Sequence, residues 1–249
     1  MKSENDPWFI PYFQHPAAVR LIAVPYAGSG ASMYRRWQSQ LNGIELYSAQ
    51  LPGREQRLRE PPIGDLQLLI QRMLPSFLAL ADCPLILFGH SLGALIAYEL
   101  ACQLRQRGIT PLHLIVSAFR SPEREPRKQP LHQLPHNELI EALRGYGATS
   151  NEVLEHPELL ELLLPMIRSD FRLHETYRYP GHPPLHCPIT AIIPREDRHI
   201  PPEDMADWAN KTTANFERVE VDGGHFYLLD QPEAALQVIR RCVSFGRTA

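Results

Sequence analysis

The 249-residue sequence lacks any apolar run approaching the ~18 residues of a membrane span. Its opening, Met1-Lys2-Ser3-Glu4-Asn5-Asp6-Pro7, has no basic-then-apolar pattern of the kind a secretory leader carries. Cysteine is sparse. Cys83, Cys102, Cys187 and Cys242 are scattered with no C-x-x-C pair, so no disulfide framework is expected. Excess positive charge is also missing. A net charge of -3 argues against a general nucleic-acid binder. No repeat or low-complexity segment is evident. These absences lead us to expect a cytoplasmic protein with no membrane or nucleic-acid partner. It has one substantial core, and a monomer is the default because no oligomerisation signature stands out.

What is present is an alternation. Short apolar runs at Leu21–Val24, Glu45–Ala49, Leu85–Phe88, Leu112–Ser117, Ile189–Ile193 and Phe216–Val221 predict strands. Amphipathic segments at Ser32–Leu41, Leu66–Ala81, Leu92–Arg107, Glu203–Asn210 and Pro232–Val243 predict the helices between them. Such spacing implies crossover connections and a mostly parallel sheet, hence an α/β fold in a single domain spanning 1–249. From about 120 to 186 the rhythm breaks. A proline-rich loop, Ser121–Pro135, leads into helical patterns at His136–Arg144 and Pro157–Tyr177, expected to form a lid inserted between two core strands. Leucines at 159, 160, 162, 163 and 164 belong to the sheet-packing face or to a substrate channel. Tyr177 and Tyr179 either line that channel or pack the lid down.

Gly89-His90-Ser91-Leu92-Gly93 carries the chemistry. It follows a buried-strand pattern and opens a helical one, the setting in which G-x-S-x-G presents a serine on a sharp turn. A serine needs a base, and the base needs an orienting carboxylate. In that fold the chain order is Ser, then Asp or Glu, then His. Asp197, in the loop after Ile189–Ile193, is the acid, with neighbouring Glu196 as the alternative; Asp204 and Asp207 read as solvated. His225, after the strand Phe216–Val221 and the turn Asp222-Gly223-Gly224, is the base. His90 is expected to point away and support the turn. One oxyanion-hole N–H is assigned to Leu92, at the helix N-terminus. The other should come from the loop Pro25–Gly30, whose glycines are followed by no G-K-[ST] and so make no nucleotide loop. His182, His186 and Cys187 have a suggestive spacing, but the fourth ligand is missing and no metal is expected.

Together, Pro25–Gly30, Leu51-Pro52-Gly53-Arg54-Glu55, Gly89–Ala94, Leu164–Phe171, Glu196-Asp197 and Gly223-Gly224-His225-Phe226-Tyr227 resemble the type II thioesterases of nonribosomal peptide and polyketide synthases. These are α/β-hydrolases related to the medium-chain thioesterases of fatty acid synthesis. The resemblance departs at Tyr26, where the family often has His, and at Ser29, where it often has Gly. It implies Ser91, Asp197 and His225 as the catalytic set, and Ala27 as the second oxyanion N–H. It also implies acyl groups on the 4'-phosphopantetheine arm of a carrier protein as substrate, an editing role, and no further cofactor. The loop Leu51–Glu55 should lie on the sheet edge of Ser91. Arg54, Arg57 and Arg59 then stand near the entrance, with Arg54 and Arg57 as candidate contacts for the phosphate or the carrier, or Arg54 as a tie for its own loop. Rival expectations are a fatty-acid-releasing thioesterase, an acyl-CoA hydrolase or a general esterase. A carrier-binding scaffold without catalysis is a further rival, though it would have no use for all three of Ser91, Asp197 and His225.

Overall fold

The computed structural model describes residues 7–13, 15–126, 129–147 and 156–245. Residues 1–6 of the opening read for a leader, and two stretches of the lid reading (127–128 and 148–155), lie outside these. The six expected strands form, as β2 (Val19–Val24), β3 (Ile44–Ala49), β4 (Leu85–His90), β5 (His113–Ser117), β6 (Ile189–Pro194) and β7 (Phe216–Val221). A further strand, β1 (Phe9–Pro11), pairs antiparallel with β3 at the edge. Three residues are too few to show an alternating pattern, and the closing proline suits an edge position.

The sheet order is β1-β3-β2-β4-β5-β6-β7, and every pairing beyond β1 is parallel. The chain steps from β2 outward to β3, then returns to place β4 on the other side of β2. At that reversal the loops after β2 and β4 leave the sheet side by side, which opens a crevice at their C-terminal ends.

Alternation along the strands divides the core. Ile22, Val24, Leu85, Leu87, Leu114 and Val116 share one buried cluster with α1 (Leu66–Leu78) and α2 (Leu92–Arg105). Leu21, Ala23, Ile86, Phe88 and Ile115 share the other with the segment Ala31–Gln40 and the last helix. Ala31–Gln40 winds as a 3₁₀ helix where an ordinary helix was expected. Asp65 caps α1 by accepting from Leu68 N–H at 2.9 Å.

Between β5 and β6 lie α3 (His136–Tyr146) and α4 (Pro157–Glu175). They pack on each other through Leu139, Leu143, Leu160, Leu164, Ile167 and Phe171. The leucine-rich stretch therefore faces the lid's own cluster and not the sheet, while Leu159 and Leu162 are exposed. The segment expected at Glu203–Asn210 divides into α5 (Pro202–Ala206) and a 3₁₀ turn, Asp207–Lys211. The chain then runs through β7 to α6 (Tyr227–Asp230) and α7 (Glu233–Phe245). Among the described residues, no helix is long and apolar enough to cross a membrane.

Candidate active site

Ser91 sits between β4 and α2 with φ 53° and ψ -124°, a backbone conformation that costs a non-glycine residue on the order of 1–3 kcal/mol. The neighbours impose it. A Cβ on Gly89 would lie 2.1 Å from the Gly93 carbonyl oxygen, and one on Gly93 would lie 2.1 Å from that of Val24. Only glycine at both positions lets strand, turn and helix pass so closely. Ser91 N–H donates to Ser117 O at 2.8 Å, which pins the turn to β5.

His225 arrives from the loop after β7 and is buried. Its Nε2 lies 3.0 Å from Ser91 Oγ, and its Nδ1 lies 2.7 Å from Asp197 Oδ2. An ionised carboxylate can only accept, so Nδ1 carries the proton and Nε2 is left to accept from the serine hydroxyl. The second oxygen of Asp197 accepts from the backbone N–H groups of His199 at 2.7 Å and Ile200 at 3.0 Å. Burial pushes the Asp197 carboxyl upward, but His225 and these two amides outweigh it and hold it below its ordinary value. Asp197 thus stays a carboxylate and fixes the imidazole. Glu196, the alternative acid, is exposed.

His90 is fully buried, with Nδ1 3.0 Å from Ser117 Oγ. That hydroxyl is also 2.9 Å from the Tyr227 hydroxyl. Burial, and then the neighbouring His225, hold His90 far below the usual histidine range, so it is neutral. It supports the turn and offers no rival base.

The loop Pro25–Gly30 after β2 lies beside Ser91, and an ion pair anchors it. Asp170 on α4 accepts from Gly28 N–H at 2.8 Å and from both Nη atoms of Arg54, at 2.8 and 2.6 Å. Arg54 Nη1 also donates to Ser29 O at 2.8 Å. With Gly28 N–H engaged, the preceding amide of Ala27 has no acceptor among the described residues. Leu92 N–H is the first amide of α2, one of the four a helix leaves unpaired. The two amides named from the sequence, Ala27 N–H in the loop and Leu92 N–H at the start of α2, therefore remain the candidate oxyanion donors.

The two candidate docking arginines are turned inward. Arg54 is 4% exposed and is spent on Asp170 and the loop. It ties more than its own loop, since it joins the β2 loop to the lid. Arg57 is 7% exposed, lies 3.9 Å over the Trp8 ring and donates to Glu60 and Gln50. Neither guanidinium offers a face to a phosphate, because each is buried and already paired with a carboxylate, Asp170 for Arg54 and Glu60 for Arg57. Arg59 alone of the three is exposed.

A cavity of about 290 Å³ opens on Ser91, walled by Phe119, Arg120, Tyr146, His174 and His199 among others. Sequence reasoning missed these residues. His199 stands two positions beyond Asp197, a proximity that could have flagged it. Tyr146 is brought in only by the lid's folding. Its ring stacks on His199 at 4.0 Å and stands edge-on to His225 at 5.9 Å. Asp204, read as solvated, is buried in the same wall. Tyr177 and Tyr179 do not reach this cavity. They pack beside α2, where Tyr177 donates to Glu99 at 2.6 Å and Tyr179 to His182 O at 2.8 Å. His182 Nε2 faces Glu99 and His186 Nδ1 faces Thr213, so the two histidines look to different partners. Among the described residues no group of three His, Cys, Asp or Glu side chains is placed to hold a metal.

Comparison with known proteins shows the family and the fold. A model of the thioesterase domain matches residues 19–243. The gramicidin S biosynthesis protein GrsT of Aneurinibacillus migulanus is 36% identical over 231 residues, covering 92% of this chain and 90% of GrsT. Thioesterase PikA5 of Streptomyces venezuelae is 37% identical over 223 residues, covering 87% of this chain and 79% of PikA5. The solved structure of the type II thioesterase BorB from the borrelidin biosynthetic cluster aligns with a TM-score of 0.89 at 36% identity. The alignment covers 96% of this chain and 99% of BorB.

Proposed function

The chain belongs to the thioesterase family, serine hydrolases of α/β-hydrolase fold, and from that premise we propose that it edits nonribosomal peptide or polyketide synthases. Its substrates are acyl or aminoacyl groups held as thioesters on the phosphopantetheine arm of carrier protein domains. Removing a stalled or wrong group frees the arm for another round. The enzyme works in the cytoplasm as a monomer.

The observation that carries this proposal is the continuous hydrogen-bonded chain Asp197–His225–Ser91, ending at a cavity. Ser91 Oγ attacks the thioester carbonyl carbon while His225 Nε2 takes its proton. The carbonyl electron pair moves onto oxygen, where the amides of Ala27 and Leu92 receive it. The carbonyl re-forms, the C–S bond breaks, and His225 returns the proton to the departing thiolate. The carrier leaves as a free thiol and the acyl group stays on Ser91. Water then attacks the ester, again with His225 as base. Collapse of that intermediate returns the proton to Ser91 Oγ and releases the carboxylic acid. Asp197 holds the imidazole tautomer and stabilises the imidazolium formed at each step. This chemistry calls for no metal or organic cofactor of the enzyme's own, because the serine is the nucleophile and amides meet the oxyanion.

The test compares one acyl group on a holo carrier protein, on coenzyme A and on a simple ester, with the wild type and Ser91→Ala. A strong preference for the carrier, and a loss on the order of 10⁶ in kcat for Ser91→Ala, are expected. Equal rates on the three donors would overturn the carrier assignment, and an active Ser91→Ala enzyme would overturn the mechanism.

A further inference from the structure

Arg120 follows β5 and stands in the wall of the cavity that reaches Ser91. It is only 7% exposed. A guanidinium buried to that degree ordinarily lies against a carboxylate. Here it does not. Nε donates to Arg124 O at 2.8 Å and Nη2 to His174 O at 3.0 Å, both neutral carbonyls, and the group lies 4.8 Å over the Phe119 ring. Among the described residues nothing accepts from Nη1, and no carboxylate comes within ion-pair distance. Arginine keeps its charge at any physiological pH, so the cavity holds a cation with an unused donor.

The rest of the wall decides what that donor can meet. Glu175 and Asp204 line the same cavity and are buried. The oxygens of Glu175 are filled by Leu131 N–H at 2.8 Å, His132 N–H at 3.0 Å and His132 Nδ1 at 2.6 Å. Both carboxylates act on Arg120 through space. A substrate carboxylate would gain one cation and meet two anions. His174 adds an uncharged polar edge: burial, and then Arg120, push it down to about 3, and its Nδ1 has no partner. A plain alkyl chain would fare badly too. It would strip water from Nη1 and return no acceptor, the costly half of hydrogen-bond exchange.

Resting on the thioesterase reading above, we propose that this cavity is an acyl subsite for short oxygenated chains. It takes an acyl group bearing a neutral acceptor, a keto or hydroxyl oxygen, which the free Nη1 donor of Arg120 engages. The alkyl chain of equal length and the chain ending in a carboxylate are both disfavoured.

Three acyl groups of nearly equal size test this on one holo carrier: acetoacetyl, butyryl and malonyl. The readout is the acetoacetyl-to-butyryl ratio of kcat/KM in the wild type, divided by the same ratio in Arg120→Met. The division cancels the keto group's own effect on thioester reactivity. A quotient of about 10 or more is expected for a hydrogen bond from a charged donor. Wild-type malonyl hydrolysis should be slower than acetoacetyl hydrolysis. A quotient near one overturns the subsite, as does malonyl outrunning acetoacetyl. Because Arg120 also holds the carbonyls of Arg124 and His174, Arg120→Lys is measured alongside. Its ammonium cannot reproduce the planar fork, so its ratio must also fall below the wild-type value; an unchanged ratio overturns the proposal. If both four-carbon chains are cleaved with a quotient of one, only the subsite fails. If neither is cleaved from the carrier while a coenzyme A thioester is, the carrier assignment fails and the subsite falls with it.

Discussion

Asp170→Asn is the most informative single substitution outside the catalytic set. Asp170 is 1% exposed and accepts three hydrogen bonds, one from Gly28 N–H and two from Arg54. An amide keeps the shape but turns one acceptor into a donor aimed at a donor. It also leaves the Arg54 guanidinium buried with no counter-charge. Breaking a buried pair from one side costs about 3–5 kcal/mol. For a chain of 249 residues this lowers the melting temperature by roughly 6–20 °C. The catalytic cost has a separate origin. Gly28 adjoins Ala27, whose amide is assigned to the oxyanion, and loss of one such donor costs about 10²–10³ in kcat. Partial loosening of the loop should give at least about a tenfold fall, read as kcat with KM little changed, well below the new melting point. The double variant Arg54→Met, Asp170→Leu separates the two effects. Removing both charges should recover most of the stability, but Gly28 N–H still lacks its acceptor, so kcat should stay low. If Asp170→Asn melts within about 1 kcal/mol of the wild type, the ion pair is not the anchor it is taken for. If kcat returns together with stability in the double variant, anchoring of Gly28 has no part in catalysis.

Other substitutions probe the turn, the acid and the pH response. Gly93→Ala places a Cβ 2.1 Å from the Val24 carbonyl oxygen, a backbone clash no rotamer relieves; a loss of about 3 kcal/mol or more is expected in urea unfolding, and near-wild-type stability would refute the close-approach account of the turn. Asp197→Asn should lower kcat by about 10⁴ with the fold intact, while Glu196→Gln should leave it within about twofold; the reverse pattern would transfer the acid role to Glu196. His113, whose Nε2 lies 2.8 Å from Thr190 Oγ1, is pushed down to about 4 by burial and then by nearby Arg241. Below pH 6.5 the unfolded chain takes up that proton before the folded one does, so stability falls as pH drops from about 6.5 to 4, by up to about 1.4 kcal/mol per pH unit. His113→Asn should flatten the pH slope of unfolding free energy by close to one proton in that window, and an unchanged slope would show that His113 does not bind protons differently in the two states.

The parts of the site that the sequence made legible are those fixed by local backbone chemistry. The elbow at Ser91 needs glycine two residues to either side, and the loops bearing Asp197 and His225 each follow a strand recognisable by its apolar run. Topology then does the assembly, because parallel strands deliver all their following loops to one edge. What stayed hidden depends on side-chain partners distant in sequence. Arg54 and Asp170 are 116 residues apart, and nothing in either neighbourhood announces the other. Arg57 looked like a docking cation because arginines near an entrance usually face solvent; Trp8, 49 positions upstream, covers it instead. The solvated reading of Asp204 failed for the same reason, since a helix position is classed by its own periodicity and not by the lid that closes over it. β1 was too short to carry a period at all.

This division has a chemical consequence. The groups assigned to breaking the C–S bond are held by the sheet edge, whose geometry the strand pattern dictates. The groups that would choose among acyl chains, namely Arg120, Tyr146 and His174, line a cavity closed by lid residues and by the β5 exit. The Arg54–Asp170 pair is the bridge between these two systems, because its carboxylate stands on a lid helix while its hydrogen bonds end on the loop beside Ala27. A displacement of α4 would therefore act directly on the backbone assigned to the oxyanion. In this architecture the position of the lid helix and the alignment of the loop assigned to the oxyanion are tied together by the same two side chains.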